Sequence, residues 1–258
     1  MHRALASLVV LFLATSLHAQ PAVAPAPAPA PATTQALPKQ EPDVAAVKYD
    51  AKTGKPNEKF LKMHEEFVER AKKGNVDVLF LGDSITAGWN SQKDTWKSHF
   101  GRYNPANFGI GGDRTQHVLW RIENGELEGI QPKVAVLMIG TNNVAHDKPD
   151  RIAAGITKIV ETIRAKLPKT KVLLLAVFPR SQEPTHESRA KIKQINDTIA
   201  KLDDGGKTVR YLDIGDTFLQ PDGTISKDIM PDYLHLSKKG YEIWANALDA
   251  PLAEMTKQ

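Results

Sequence analysis

Ser84, Asp232 and His235 are the residue types of a hydroxyl nucleophile, an orienting carboxylate and a base, and together they could cleave an ester. Ser84 lies in Leu81-Gly82-Asp83-Ser84-Ile85-Thr86, where an apolar run breaks at a glycine and a hydroxyl opens a turn or helix. A serine hydroxyl is a weak nucleophile at its own pKa and needs a base within reach. Among the eight histidines, His235 suits that role because Asp232 precedes it by three residues, a spacing at which a turn sets a carboxylate against the imidazole. Taken alone, Ser84 also reads as a helix cap, and Asp232 with His235 as a surface pair near a helix start. His64, His99, His117, His146 and His186 have no Asp two or three residues upstream and read as surface or packing residues.

Acyl transfer puts negative charge on a carbonyl oxygen, so donors aimed at that oxygen are the next requirement. Gly112, in Gly109-Ile110-Gly111-Gly112, offers a backbone N–H with no side chain in the way, and Asn142, in Gly140-Thr141-Asn142-Asn143, offers a carboxamide. The Ser84 backbone N–H is a third donor. Each stretch by itself reads more simply as a tight turn or a loop after a strand. The Gly109–Gly112 stretch is not a phosphate loop, since no Gly-Lys-Ser or Gly-Lys-Thr follows and Asp113 sets a negative charge beside it. Asp113 is expected to cap the helix that begins near Arg114. No His-x-x-x-His or paired ligand cluster suggests a metal, and no cofactor is expected.

The elements that must position these residues follow from periodicity. Apolar runs at 76–81, 134–139, 172–177 and 209–214 suit strands buried on both faces, and residues 102–108 add a short strand. Helical patterns cover 57–73, 115–124, 149–167, 186–202 and 237–255. Alternation of strand and helix argues a parallel α/β sheet, whose functional crevice lies beyond the carboxyl ends of the strands. Ser84, Gly112 and Asn142 all follow strands closely, and His235 stands just before the last helix. Trp89, Trp96, Tyr103 and Trp120 could line a groove for sugar or lipid, core packing being the simpler reading.

With 258 residues, 41% apolar and 25% charged, the chain has the composition of one well-buried domain. Residues 1–19 carry an early Arg3, an apolar stretch from Leu8 to Leu13 and a small Ala19, the pattern of a secretory signal peptide, with an uncleaved anchor as the alternative. That run is too short for a membrane span, so none is expected after cleavage. Residues 20–44 are rich in Pro and Ala and read as an extended spacer, leaving 45–258 as the folded domain. The chain has no Cys, which rules out disulfides. Its net charge of +4 is spread along the chain rather than blocked, so no nucleic-acid partner is expected.

These motifs resemble the SGNH hydrolases, the GDSL-type esterases, whose four name-giving residues map onto Ser84, Gly112, Asn142 and His235, with Asp232 completing the triad. Within that family, residues 78–84, 107–114, 117–127 and 140–143 look like the platelet-activating-factor acetylhydrolase catalytic-subunit branch. The resemblance implies a flavodoxin-like three-layer α/β/α sandwich with a five-stranded parallel sheet. It further implies hydrolysis of a short acyl ester, often acetyl, through an acyl-enzyme, with Ile85, Thr141 and Leu234 bordering the acyl pocket. The export signal and spacer depart from the intracellular subunits, so their lipid substrate and regulatory partners are not carried over. Acetylated glycans, xenobiotic esters and lipids are the candidate substrates. Two rivals keep the scaffold: a silent carbohydrate-binding module, and a transferase that passes the acyl group to an alcohol other than water.

Overall fold

In the computed structural model, which describes residues 37–257, five parallel strands form one sheet in the order β2-β1-β3-β4-β5. The strands are β1 (Val78–Gly82), β2 (Pro105–Gly109), β3 (Val134–Met138), β4 (Lys171–Leu175) and β5 (Val209–Leu212). Every residue of β1 and β3 is buried, which is why both read as unbroken apolar runs. The residues assigned to the signal, 1–19, and most of the spacer, 20–36, lie outside the described residues.

Alternate side chains along each strand enter two separate cores. Leu79, Leu81, Ala135, Leu137, Val172 and Leu174 face one way. They meet α1 (Glu58–Lys72), α4 (Thr115–Glu123), α5 (Pro149–Lys166) and α6 (Glu187–Ile199). Phe80, Val134, Val136, Met138, Leu173 and Leu175 face the other way, onto α3 (Lys93–Phe100) and α7 (Lys238–Met255). The result is the expected flavodoxin-like three-layer sandwich. A short α2 (Ser84–Ala87) follows β1 directly. Among the described residues, no helix is long and apolar enough to cross a membrane.

Register sets the level at which the loops leave the sheet. Gly82 lies opposite Gly109 of β2 and Met138 of β3, so the segments after all three strands start from one rim. The order 2-1-3-4-5 reverses direction between β1 and β3, the topological switch point where open α/β sheets place their sites.

Packed chain is also found ahead of the expected domain start near residue 45. Pro42 accepts a hydrogen bond from the Thr115 hydroxyl at 2.8 Å, Gln40 Oε1 meets His117 Nε2 at 3.1 Å, and Asp43 pairs with Arg151. Ala46 N donates to the Gln116 carbonyl at 3.1 Å. These contacts make residues 40–48 an arm laid across α4 and α5.

Candidate active site

Ser84 is the first residue of α2, and Asp83 rather than Ser84 is the cap: Asp83 Oδ1 accepts from Ile85 N at 2.9 Å. The serine hydroxyl is thereby left free of the helix end, and Ser84 Oγ lies 2.9 Å from His235 Nε2. On the other side of the imidazole, His235 Nδ1 stands 2.7 Å from Asp232 Oδ2. Asp232 Oδ1 also accepts from Leu234 N at 3.1 Å and His235 N at 2.7 Å, so the carboxylate shapes the turn that carries its own partner. Partial burial would raise the Asp232 carboxyl, but the bonds from the His235 side chain and backbone outweigh it and hold the carboxyl below its ordinary value. The pair faces solvent, with 46% of the His235 and 56% of the Asp232 side chain exposed, so a substrate can approach it.

Opposite this pair stands the loop after β2. Gly112 has φ +73°, a left-handed conformation that glycine adopts without strain. Gly111 is close enough that a Cβ placed on it would stand 3.9 Å from the Ser84 Cβ. Asn142, in the loop after β3, donates one amide N–H to the Asp113 carbonyl at 2.9 Å, which ties the two loops together beside Ser84. Neighbouring Asn143 is buried and serves structure: its Oδ1 accepts from Thr115 N and its Nδ2 reaches Gln116 Oε1 and Asp147 Oδ2.

The three residues expected at the acyl pocket differ in access. Ile85 is 1% exposed and packs in the α3/α7 core, where the Tyr241 hydroxyl donates to its carbonyl at 2.7 Å. Thr141 is also buried and is held through its carbonyl and hydroxyl by Arg180. Leu234 stays half-buried at the rim.

Asp113 does not cap α4, contrary to the expectation from its position. Arg114 is the N-cap, and the Asp113 carboxylate is fully buried, with Oδ2 2.9 Å from Arg121 Nε. Arg121, buried in α4, also binds Glu126 and the Phe108 carbonyl, and Glu126 meets His64 at 3.0 Å. Sequence reasoning missed this network. The available signal was a cation, Arg121, inside the apolar stripe Val118, Leu119 and Ile122. Burial raises Asp83 to about 7 and Asp113 to about 6, the latter against the pull of Arg121 and Lys48. Burial likewise pushes His117 down to about 3.

Two of the other histidines set aside have partners elsewhere: His99 meets Asp249 and His186 meets Ser188. Trp89 and Tyr103 lie in the α3/α7 core, Trp96 packs on Phe80 and Phe100, and Trp120 packs on Phe60 and His64. Among the described residues, no three His, Cys, Asp or Glu side chains converge as a metal site.

Residues 80–243 match the GDSL-like Lipase/Acylhydrolase family. Platelet-activating factor acetylhydrolase IB subunit alpha1 of Homo sapiens is 39% identical over 200 residues, covering 78% of this chain and 85% of that protein. A GDSL-like lipase from Bacteroides thetaiotaomicron superposes with a TM-score of 0.61 at 21% identity, over 76% of this chain and 97% of the other. A catalytic mutant of an acetylxylan esterase from Geobacillus stearothermophilus superposes with a TM-score of 0.54 at 17% identity, over 70% and 94%.

Proposed function

Because the chain belongs to the GDSL-like lipase/acylhydrolase family and is a carboxylic ester hydrolase, we propose that Ser84, His235 and Asp232 carry its reaction and that the ester is a short one, acetyl above all. The observation that carries the assignment is the unbroken contact from Ser84 Oγ through the His235 ring to Asp232 Oδ2, 2.9 Å and 2.7 Å in its two steps. In this reading, Ser84 Oγ attacks the ester carbonyl as His235 Nε2 takes its proton. Asp232 holds the ring in the tautomer with hydrogen on Nδ1 and stabilises the imidazolium that forms. The oxyanion of the tetrahedral intermediate accepts from the Ser84 N–H, the Gly112 N–H and the Asn142 carboxamide. His235 then protonates the leaving alcohol, and the same cycle with water releases the acid from the Ser84 ester.

Two observations support a small acyl group. The 39% identical human relative is named an acetylhydrolase, and an acetylxylan esterase shares the fold. The N-terminal pattern of residues 1–19 supports export, and with it an extracellular or periplasmic ester such as an acetylated glycan.

Turnover of p-nitrophenyl acetate tests the assignment. Ser84→Ala is expected to lower kcat by roughly 10⁴-fold or more, and equal rates for variant and parent would overturn it. An acyl series from acetate to octanoate is expected to fall steeply after the shortest members, and a flat profile would remove the short-chain reading.

A further inference from the structure

Lys48 belongs to the arm ahead of α1, outside the segment that matches the family, yet it ends beneath the loop that carries Gly112. Its Nζ donates to the Gly111 carbonyl at 2.6 Å and lies 3.6 Å from Asp113 Oδ1, a buried oxygen with no hydrogen-bond partner. A Cβ placed on Gly112 would stand 3.0 Å from that Nζ. The ammonium thus touches the residue on each side of Gly112 and packs against Gly112 itself, with 20% of its side chain exposed.

One peptide plane joins the Gly111 carbonyl to the Gly112 N–H. In a planar trans peptide the two groups point in opposite directions, so whatever fixes the oxygen also aims the hydrogen. A plane between two glycines has little of its own to fix it, since neither residue has a Cβ to bar rotation. We propose that Lys48 is a positioning residue for the reaction: by holding the Gly111 oxygen from below, it aims the Gly112 N–H at the oxyanion beside Ser84. A cationic donor on the carbonyl also polarises the peptide and makes its N–H a better donor. The arm keeps Lys48 in place through Gln40, Pro42, Asp43 and Ala46. Residues 40–48 are therefore part of the catalytic unit.

This inference rests on the Ser84 reading, and the measurements separate the two. If Ser84→Ala hydrolyses p-nitrophenyl acetate like its parent, the Ser84 reading fails, and Lys48 with it. With Ser84 dependence in hand, Lys48→Met, Lys48→Gln and Lys48→Arg are compared in the full chain for kcat, KM and Tm. Lys48→Met is expected to lower kcat about 10- to 100-fold, less than the loss of a whole oxyanion donor, with KM within twofold. Lys48→Arg, which restores a charged donor to the Gly111 oxygen, is expected to recover most of that loss. If Lys48→Met does not fold, Lys48→Gln takes its place under the same criteria. A kcat equal to the parent's, a change confined to KM, or a kcat that follows Tm across the series regardless of charge would each overturn the proposal.

Discussion

Asp83 adjoins Ser84 and Asp113 adjoins Gly112, and the fold buries both carboxylates completely. Desolvation lifts Asp83 to about 7 and Asp113 to about 6, well above the 3.8 of a free aspartate. A carboxyl whose folded pKa is raised keeps its proton more firmly in the native state. The stability it contributes is therefore present at low pH and is lost as pH rises from about 4 through about 7. His117, lowered to about 3, works in the opposite sense: its contribution is lost as pH falls from about 6.5 toward 3. The two effects oppose each other in the same window, so a single substitution is needed to read one of them. Asp83→Asn keeps an Oδ1 to accept from Ile85 N, and its stability relative to the parent is expected to increase from pH 4.5 to pH 8 by roughly 3 kcal/mol. Urea unfolding at several pH values measures this, and parallel pH curves for parent and variant would contradict it. The meeting of Ser84, Asp232 and His235 was legible in the sequence because ester cleavage by a serine calls for those residue types and a turn suits the three-residue spacing. The pairing of Asp113 with Arg121 was not: Asp113 stands where a helix cap belongs, and only burial from all sides makes the salt bridge preferable.

At the scale of elements, α2 leans directly on the end of β2. A Cβ at Gly109 would stand 2.3 Å from Ala87 N and 2.8 Å from Ala87 Cα, backbone atoms that can yield only if the helix moves. Gly109→Ala is expected to destabilise the protein by about 1–3 kcal/mol. It should also lower esterase activity beyond any loss of folded protein, because α2 begins with Ser84. Equilibrium unfolding and the rate per folded molecule are the two readouts, and an active, fully stable variant would show that the contact is slack. Four of the strands were readable to within two residues, since the apolar run that defines each reflects coverage on both faces, while the edge strand β2 starts three residues after the expected 102. Helix α3 carries only Trp96 and Phe100 as apolar residues, four apart, and escaped the periodicity. It is held by aromatic contacts with Trp89 and Phe80. Residues 40–48 were beyond reach for a further reason: their place is set by Thr115, Gln116 and Arg151, partners far along the chain that no local pattern announces.

Across the whole molecule, two apolar cores share one set of strands, so neither can be dismantled while the sheet stays whole. Once Trp120, which packs on Phe60 and His64 of α1, is replaced by Phe, the remaining Trp89, Trp96 and Trp244 report on the α3/α7 side, while α1, α4, α5 and α6 supply most of the helix on the other. Denaturation followed by tryptophan fluorescence and by far-UV circular dichroism is expected to give one midpoint, and separated midpoints would show that the two faces melt independently. Without cysteine, no covalent staple contributes to that cooperativity.

The turn from Asp232 to His235 closes on itself, with three of its contacts made by a single carboxylate. Imidazole and carboxylate are therefore held together by local chain alone, through five atoms of a four-residue turn. What the remaining chain must supply is one length, the 2.9 Å gap to a hydroxyl 151 residues away. On the reading of Ser84 as nucleophile, the residual activity of a warmed sample reports on that gap.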